Sequence, residues 1–295
     1  MHRAFAMSDD QTIPPTAACA PARADAVPAS LRSVGEIDLA FIDRSGVAAV
    51  SRAFQSGCLR MRMPRTSGEE PCAVLINTAG GLAEGDRLVQ GVTWAQGVRS
   101  AVATQAAEKV YRALDQGSQI ATRLHVEQGA QAEWLPQETI LFDEARLVRD
   151  TQIALAQDSS FLGVEALVLG REAMGESVTR GALRDRLRIW RGGKLIYADT
   201  LALEGDIADL MAHAAVGGRA RAMAVIVHVA NEAADLLEPV RSALETARGQ
   251  AAASAWNGIL AVRLIASDGE ILRRDIAAAL EVMRKGRALP RVWRC

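Results

Sequence analysis

From Ile120 to Glu127 the chain alternates: Ile120, Thr122, Leu124 and Val126 fall on one side of an extended segment, Ala121, Arg123, His125 and Glu127 on the other. That period of two predicts a strand with one buried and one solvated face. Leu183 to Trp190 and Leu195 to Leu203 alternate in the same way around Arg191-Gly192-Gly193-Lys194. Gly-Gly readily takes the positive φ that a tight turn requires, so this stretch predicts a β-hairpin. Val74–Asn77, Leu88–Trp94, Glu133–Leu135 and Thr139–Phe142 read as further strands. Phe161–Leu169, a mostly apolar run, also reads as a strand, ambiguous with a short buried helix.

After Gly205 the pattern changes. Ala224–Val229 reads as a strand and Asp235–Arg248 as a helix with Leu236, Val240, Leu244 and Ala247 on one face, Pro239 being tolerable in its first turn. A strand near Ile259–Ile265 and a second helix follow, the latter striped by Leu272, Ile276, Ala279, Leu280 and Met283. Arg284 and Lys285 suit its C-terminal dipole and Gly286 can end it. The fold class is therefore mainly β, α+β overall, with a strand-helix-strand-helix C-terminal part. Residues 1–33, rich in Ala, Pro and small polar side chains, read as a flexible tail. Residues 34–295 read as a single domain, a β-rich body over 34–204 and a mixed α/β part over 205–295. No repeat of 20 to 50 residues and no heptad is visible.

Composition narrows the function. Thirty-four basic against 35 acidic residues, with 4% aromatics, argue against a nucleic-acid partner held by electrostatics or stacking. No apolar run approaches the roughly 20 residues of a membrane span, and no signal-peptide core opens the chain, which predicts a cytoplasmic protein with no membrane partner. The four cysteines, Cys19, Cys58, Cys72 and Cys295, form no C-x-x-C pair, so reduced thiols are expected.

The densest glycine cluster, Asn77 to Asp86, follows an apolar strand. Gly80 and Gly85 have the spacing of a P-loop, but Asp86-Arg87 stands where phosphate binding needs Lys-Ser, so a tight turn between strands is the better reading. No nucleophile elbow or H-E-x-x-H occurs, and His2, His125, His213 and His228 are far apart. Carboxylates flank the apolar segments: Glu84, Asp86, Glu138, Asp143, Glu144, Glu165, Glu172 and Glu176. Oxygen ligands suit weak, exchangeable binding of a divalent metal such as nickel, and solvated strand ends explain them as well. Lys109, Tyr111 and Arg112 place two cations beside an aromatic ring, either a surface anchor for a protein partner or a Lys lying over the core.

Leu75-Ile76-Asn77-Thr78-Ala79-Gly80-Gly81-Leu82-Ala83-Glu84-Gly85-Asp86 resembles the glycine-rich signature of the UreD (UreH) family of urease accessory proteins. Thr104–Arg112, Glu133–Phe142 with Pro136, Leu169–Glu176 with Gly170 and Gly175, Gly258–Leu264 and Pro290–Trp293 follow in the family's order, so the similarity covers roughly residues 36–293. Glu108 stands where many members carry Thr or Ser. The resemblance implies a helix-like stack of sheets and no catalysis by this chain. It implies a scaffold or chaperone that binds apo-urease with UreF and the GTPase UreG so that nickel is inserted, with no tightly bound cofactor and at most transient nickel. On that basis Glu84, Asp86, Glu138, Asp143 and Glu176 are candidates for a nickel path, Lys109, Tyr111 and Arg112 for partner docking, and Gly80, Gly81, Gly85, Pro136, Gly170 and Gly175 for the structural motif. The rival reading is a small-molecule enzyme using Glu138 and Glu176 as acid and base.

Overall fold

The computed structural model describes residues 32–64, 70–171 and 174–294. The expected tail, Cys19, Cys295 and Glu172 lie outside these, and the body already begins at Arg32, because the Ser33 amide donates to Asp86 Oδ1 at 2.6 Å. An antiparallel pair, β1 (Val34–Arg44) and β2 (Val47–Gly57), opens the body, followed by β3 (Leu59–Arg62) and β4 (Cys72–Asn77). The chain then winds through β5 (Arg87–Trp94), β6 (Arg99–Thr104), β7 (Glu108–Val110), β8 (Ser118–Val126), β9 (Gln131–Leu135), β10 (Thr139–Leu141), β11 (Arg146–Leu155) and β12 (Ser160–Leu169). The expected hairpin is β13 (Arg180–Arg191) and β14 (Lys194–Asp206), with Gly192 and Gly193 at φ 54° and 80°.

Successive strands alternate between two sheets. A seven-stranded sheet has the order β14-β13-β11-β8-β5-β1-β2, and β4, β6, β9 and β12 run parallel through a ten-stranded one. Leu88 lies opposite Ile120, Ile120 opposite Arg149 and Arg149 opposite Asp185, so each coil advances by roughly 30 residues. The sequence shows no such repeat because a coil needs only inward apolar positions in register, and its loops differ in length.

The C-terminal part departs from strand-helix-strand-helix. Helix α1 (Ile207–Ala212) precedes β15 (Ala222–Val229), and a 3-10 turn at Ala233–Leu236 leads into α2 (Leu237–Leu244), which ends four residues before the expected Arg248. An unexpected strand, β16 (Gln250–Trp256), then pairs with β17 (Ile259–Ala266) before α3 (Gly269–Met283). Strand β16 is alanine-rich and carries no strand alternation to read. The α3 stripe is as predicted: Leu272, Ile276, Ala279, Leu280 and Met283 are all buried.

Burial explains the layering. Phe41, Trp94, Leu124, Ile153 and Ile189 of the seven-stranded sheet meet Leu75, Trp134, Phe161, Leu167 and Val227 of the other in one core. The far side of the ten-stranded sheet, with Leu162, Val164, Ile226 and Val262, is covered by α2, α3 and Trp293. Strand β12 is thus buried on both faces, which is why, Glu165 apart, its residues are apolar or small on both sides rather than alternating. Arg284 is not a solvated helix-end cation. It is 1% exposed and bonds Glu133 Oε2 and Glu70 Oε2, each at 2.9 Å, while Arg287 Nη2 bonds Glu133 Oε1 at 2.6 Å.

Inside the apolar core sits a charge. Arg149 of β11 points between the sheets, donating from Nε to Asp185 Oδ1 at 2.9 Å and from Nη1 to Thr139 Oγ1 at 3.0 Å. Its Nη2 lies 2.7 Å from Glu165 Oε2, and Thr151 donates to Glu165 Oε1 at 2.8 Å. Burial pushes the Glu165 carboxyl upward, against the pull of Arg149. Removing one member of a buried ion cluster strands the others. Arg149→Met should therefore cost about 3–5 kcal/mol, and adding Glu165→Met and Asp185→Leu should recover much of it, both read from urea-unfolding midpoints.

Candidate functional site

Four crossovers lead from the ten-stranded sheet to the seven-stranded one: residues 78–86, 111–117, 142–145 and 170–179. The parallel coils place them side by side, and they contain most of the residues flagged in the sequence. In the first, Leu82 zips onto β7: its amide donates to the Lys109 carbonyl at 2.7 Å, and its carbonyl accepts from the Tyr111 amide at 2.8 Å. Gly81 is obligatory there, since a Cβ would lie 2.5 Å from the Tyr111 ring and 2.9 Å from the Lys109 carbonyl oxygen. Gly170, at φ 81°, has the same role in the fourth crossover, where a Cβ would lie 2.8 Å from the Glu176 carbonyl oxygen. Gly80, Gly85 and Gly175 also have positive φ, and Pro136 lies in the short link between β9 and β10.

The carboxylates stitch each crossover to the next. Glu84 accepts the amides of Leu114, Asp115 and Gln116 at 2.9, 3.1 and 3.0 Å, and those amides hold its carboxyl below the usual Glu range. Arg112 of the second crossover pairs with Glu144 of the third. Asp143 then accepts the Thr179 and Arg180 amides at 2.7 and 3.1 Å. Partial burial pulls its carboxyl upward, but those hydrogen bonds prevail and leave it below the ordinary Asp range. Glu176 accepts the Asp143 amide at 3.4 Å, and the Arg171 guanidinium 2.8 Å away lowers its pKa.

Of the five nickel-path candidates, the structure therefore brings Asp143 and Glu176 together and puts Glu84 and Asp86 in one loop. Asp86 is 3% exposed and caps that loop through the Ala83 amide at 2.8 Å. Glu138 stands apart, 3.4 Å from Arg273. Among the described residues no group of three or more His, Cys, Asp or Glu is placed to hold a metal ion. Lys109, Tyr111, Arg112 and Leu114 are each exposed. Tyr111 donates to the Gly80 carbonyl at 3.0 Å and meets Phe142 edge-on, and Arg171 lies 4.2 Å over the Phe142 ring.

Glu108 was flagged only as a departure from the family. Its Oε1 accepts from Asn77 Nδ2 at 3.0 Å beneath the glycine loop, and burial, with the neighbouring Asp86 charge, raises its pKa to about 7. His228, on the helix-covered face, is 8% exposed with Nδ1 3.1 Å from the Phe161 carbonyl, and burial lowers its pKa. The thiols of Cys58 and Cys72 are free, and burial raises both.

Two outcomes test this arrangement. Glu84→Gln should speed hydrogen exchange at Leu114–Gln116 on the order of tenfold, with little change in global unfolding, because one strong acceptor of three local amides is weakened. For Glu108, the carboxyl is protonated in both folded and unfolded chains well below pH 4.5; between 4.5 and about 7 only the unfolded chain releases its proton, so stability falls as pH rises and levels off above 7. Glu108→Gln should therefore stabilise the protein on the order of 3 kcal/mol at pH 8 and hardly at pH 4, measured by urea unfolding.

The family model of the UreD urease accessory protein matches residues 33–294. The urease accessory protein UreD of Azorhizobium caulinodans is 44% identical over 266 residues, covering 90% of this chain and 98% of that protein. That of Xanthobacter autotrophicus is 46% identical over 262 residues, 89% of this chain and 90% of that protein. Both the match along nearly the whole body and these identities show that the chain belongs to the UreD family of urease accessory proteins.

Proposed function

We infer that the protein is a cytoplasmic scaffold or chaperone that binds apo-urease, together with UreF and the GTPase UreG, while nickel is installed, and that it performs no catalysis of its own. The observation that carries this reading is family membership over the whole body. The crossover end supports it: four loops are locked together by carboxylates and present Lys109, Tyr111, Arg112 and Leu114 outward on a rigid frame, as a docking surface requires. No helix among the described residues is long and apolar enough to cross a membrane.

Nickel enters this reading as cargo. Glu84, Asp86, Glu138, Asp143 and Glu176 are hard oxygen donors already engaged by amides or arginines, which suits brief contact rather than retention. The enzyme reading is less well supported. Glu176 is held below the usual Glu range, the wrong direction for a general acid, and Glu138 faces its own arginine.

Co-expression of the tagged chain with apo-urease, UreF and UreG tests the proposal. The expected outcome is co-purification of all four, with urease activation by nickel and GTP lost when this chain is omitted. Activation that proceeds without the chain, and no association, would refute the reading. Glu138→Gln, which leaves the crossover stitching intact, should slow nickel-dependent activation if that carboxylate contacts the cargo.

A further inference from the structure

Among the described residues, no helix or second sheet covers the outer face of the seven-stranded sheet. Its parallel register lines up outward side chains from β8, β11 and β13: Arg123 opposite Gln152, Gln152 opposite Arg188, Asp150 opposite Arg186 and Val148 opposite Arg184. With Arg146, that makes five arginines on one face of three neighbouring strands. Two carboxylates share this area. Glu204 lies at its β14 margin, and Asp150 is covered by Arg123, Arg186 and Arg188 at 3.1, 3.5 and 2.6 Å, leaving its side chain 14% exposed. Around them the bed is small and flat: Ala121, Ala154 and Ala202. Trp190 extends it, with the Arg188 guanidinium 5.6 Å over its ring.

A chain whose formal charge is −1 thus concentrates a local excess of about three positive charges on one open sheet face. The area is adequate for a partner. Four strands at about 4.8 Å spacing and some nine residues at about 3.3 Å each give roughly 600 Å², of the order of the ~800 Å² that each side of a stable complex buries. Arginine and tryptophan are also the residues that most often anchor interfaces.

We propose that this arginine face docks an acidic, flat surface of apo-urease. The inference rests on the reading above that apo-urease is a partner, and adds the surface used and the chemistry of its counterpart. Charge complementarity selects the partner's carboxylates, and the planar guanidinium forks engage them in pairs. The crossover end, with its stitched carboxylates, stays free for other members of the assembly.

The test is biolayer interferometry of the full chain against apo-urease, in about 0.05 M and about 0.5 M salt, where screening separates surface charge effects from packing. The variants are Arg146→Glu/Arg184→Glu and Arg146→Lys/Arg184→Lys; both sites are exposed and neither belongs to the trio over Asp150. The double reversal should weaken binding on the order of tenfold or more at low salt, and the difference should shrink at high salt. The lysine pair should retain most of the affinity, and unfolding midpoints should match the parent. Reversal variants that bind apo-urease as the parent does would overturn this proposal alone. So would a DNA duplex or a second copy of the chain as the ligand lost on reversal while urease binding persists. A parent chain that fails to bind apo-urease would overturn the functional reading and this inference together.

Discussion

The body depends on a guanidinium buried between its two sheets. Arg149 lies between two sheets whose facing sides are mostly apolar, and a buried charge is tolerable only when its partners are fixed in place. Asp185 and Glu165 supply the countercharge from β13 and β12, and Thr139 supplies an acceptor from β10, so both sheets are tied to one side chain. A slip of one residue in β11 would send Arg149 to the solvent and Val148 inward. The cluster therefore specifies the register of the coils, and through it the order in which the crossovers line up at the end of the stack. The carboxylate stitching there, from Glu84 to Glu176, exists only because that register brings each loop beside the next.

How much of this was legible follows from the kind of interaction. Strand β8 and the β13–β14 hairpin could be read because one face is wet and the turn needs glycine; helix α3 could be read because its stripe is complete. The coil repeat could not, because parallel strands in register require matched burial and not matched residues. Strand β11 escaped because Arg149 and Thr151 occupy inward positions and erase the alternation. Arg284 was misjudged because its partners, Glu70 and Glu133, are far away in the chain.

At the crossover end the residues were found and their use was not. Position beside a motif marks Glu84, Asp143 and Glu176, but only the fold brings each to amides of a loop some 30 residues away. Glu108 gave no signal of its role: only the fold brings its carboxyl under the glycine loop, to Asn77 and beside Asp86, which makes this anchor sensitive to protonation.

The coiled path also bears on how the chain reaches this state. Each parallel strand from β5 to β12 except β7 finds a preformed strand in the coil already made, so winding can follow the direction of synthesis as the polypeptide leaves the ribosome. The antiparallel strands β15 and β17 come last and close the ten-stranded sheet beside β12. Until they emerge, the edge of β12 and its helix-facing apolar side are open, which makes the interval before the C-terminal 70 or so residues are translated the period in which a nascent chain most needs protection from its neighbours.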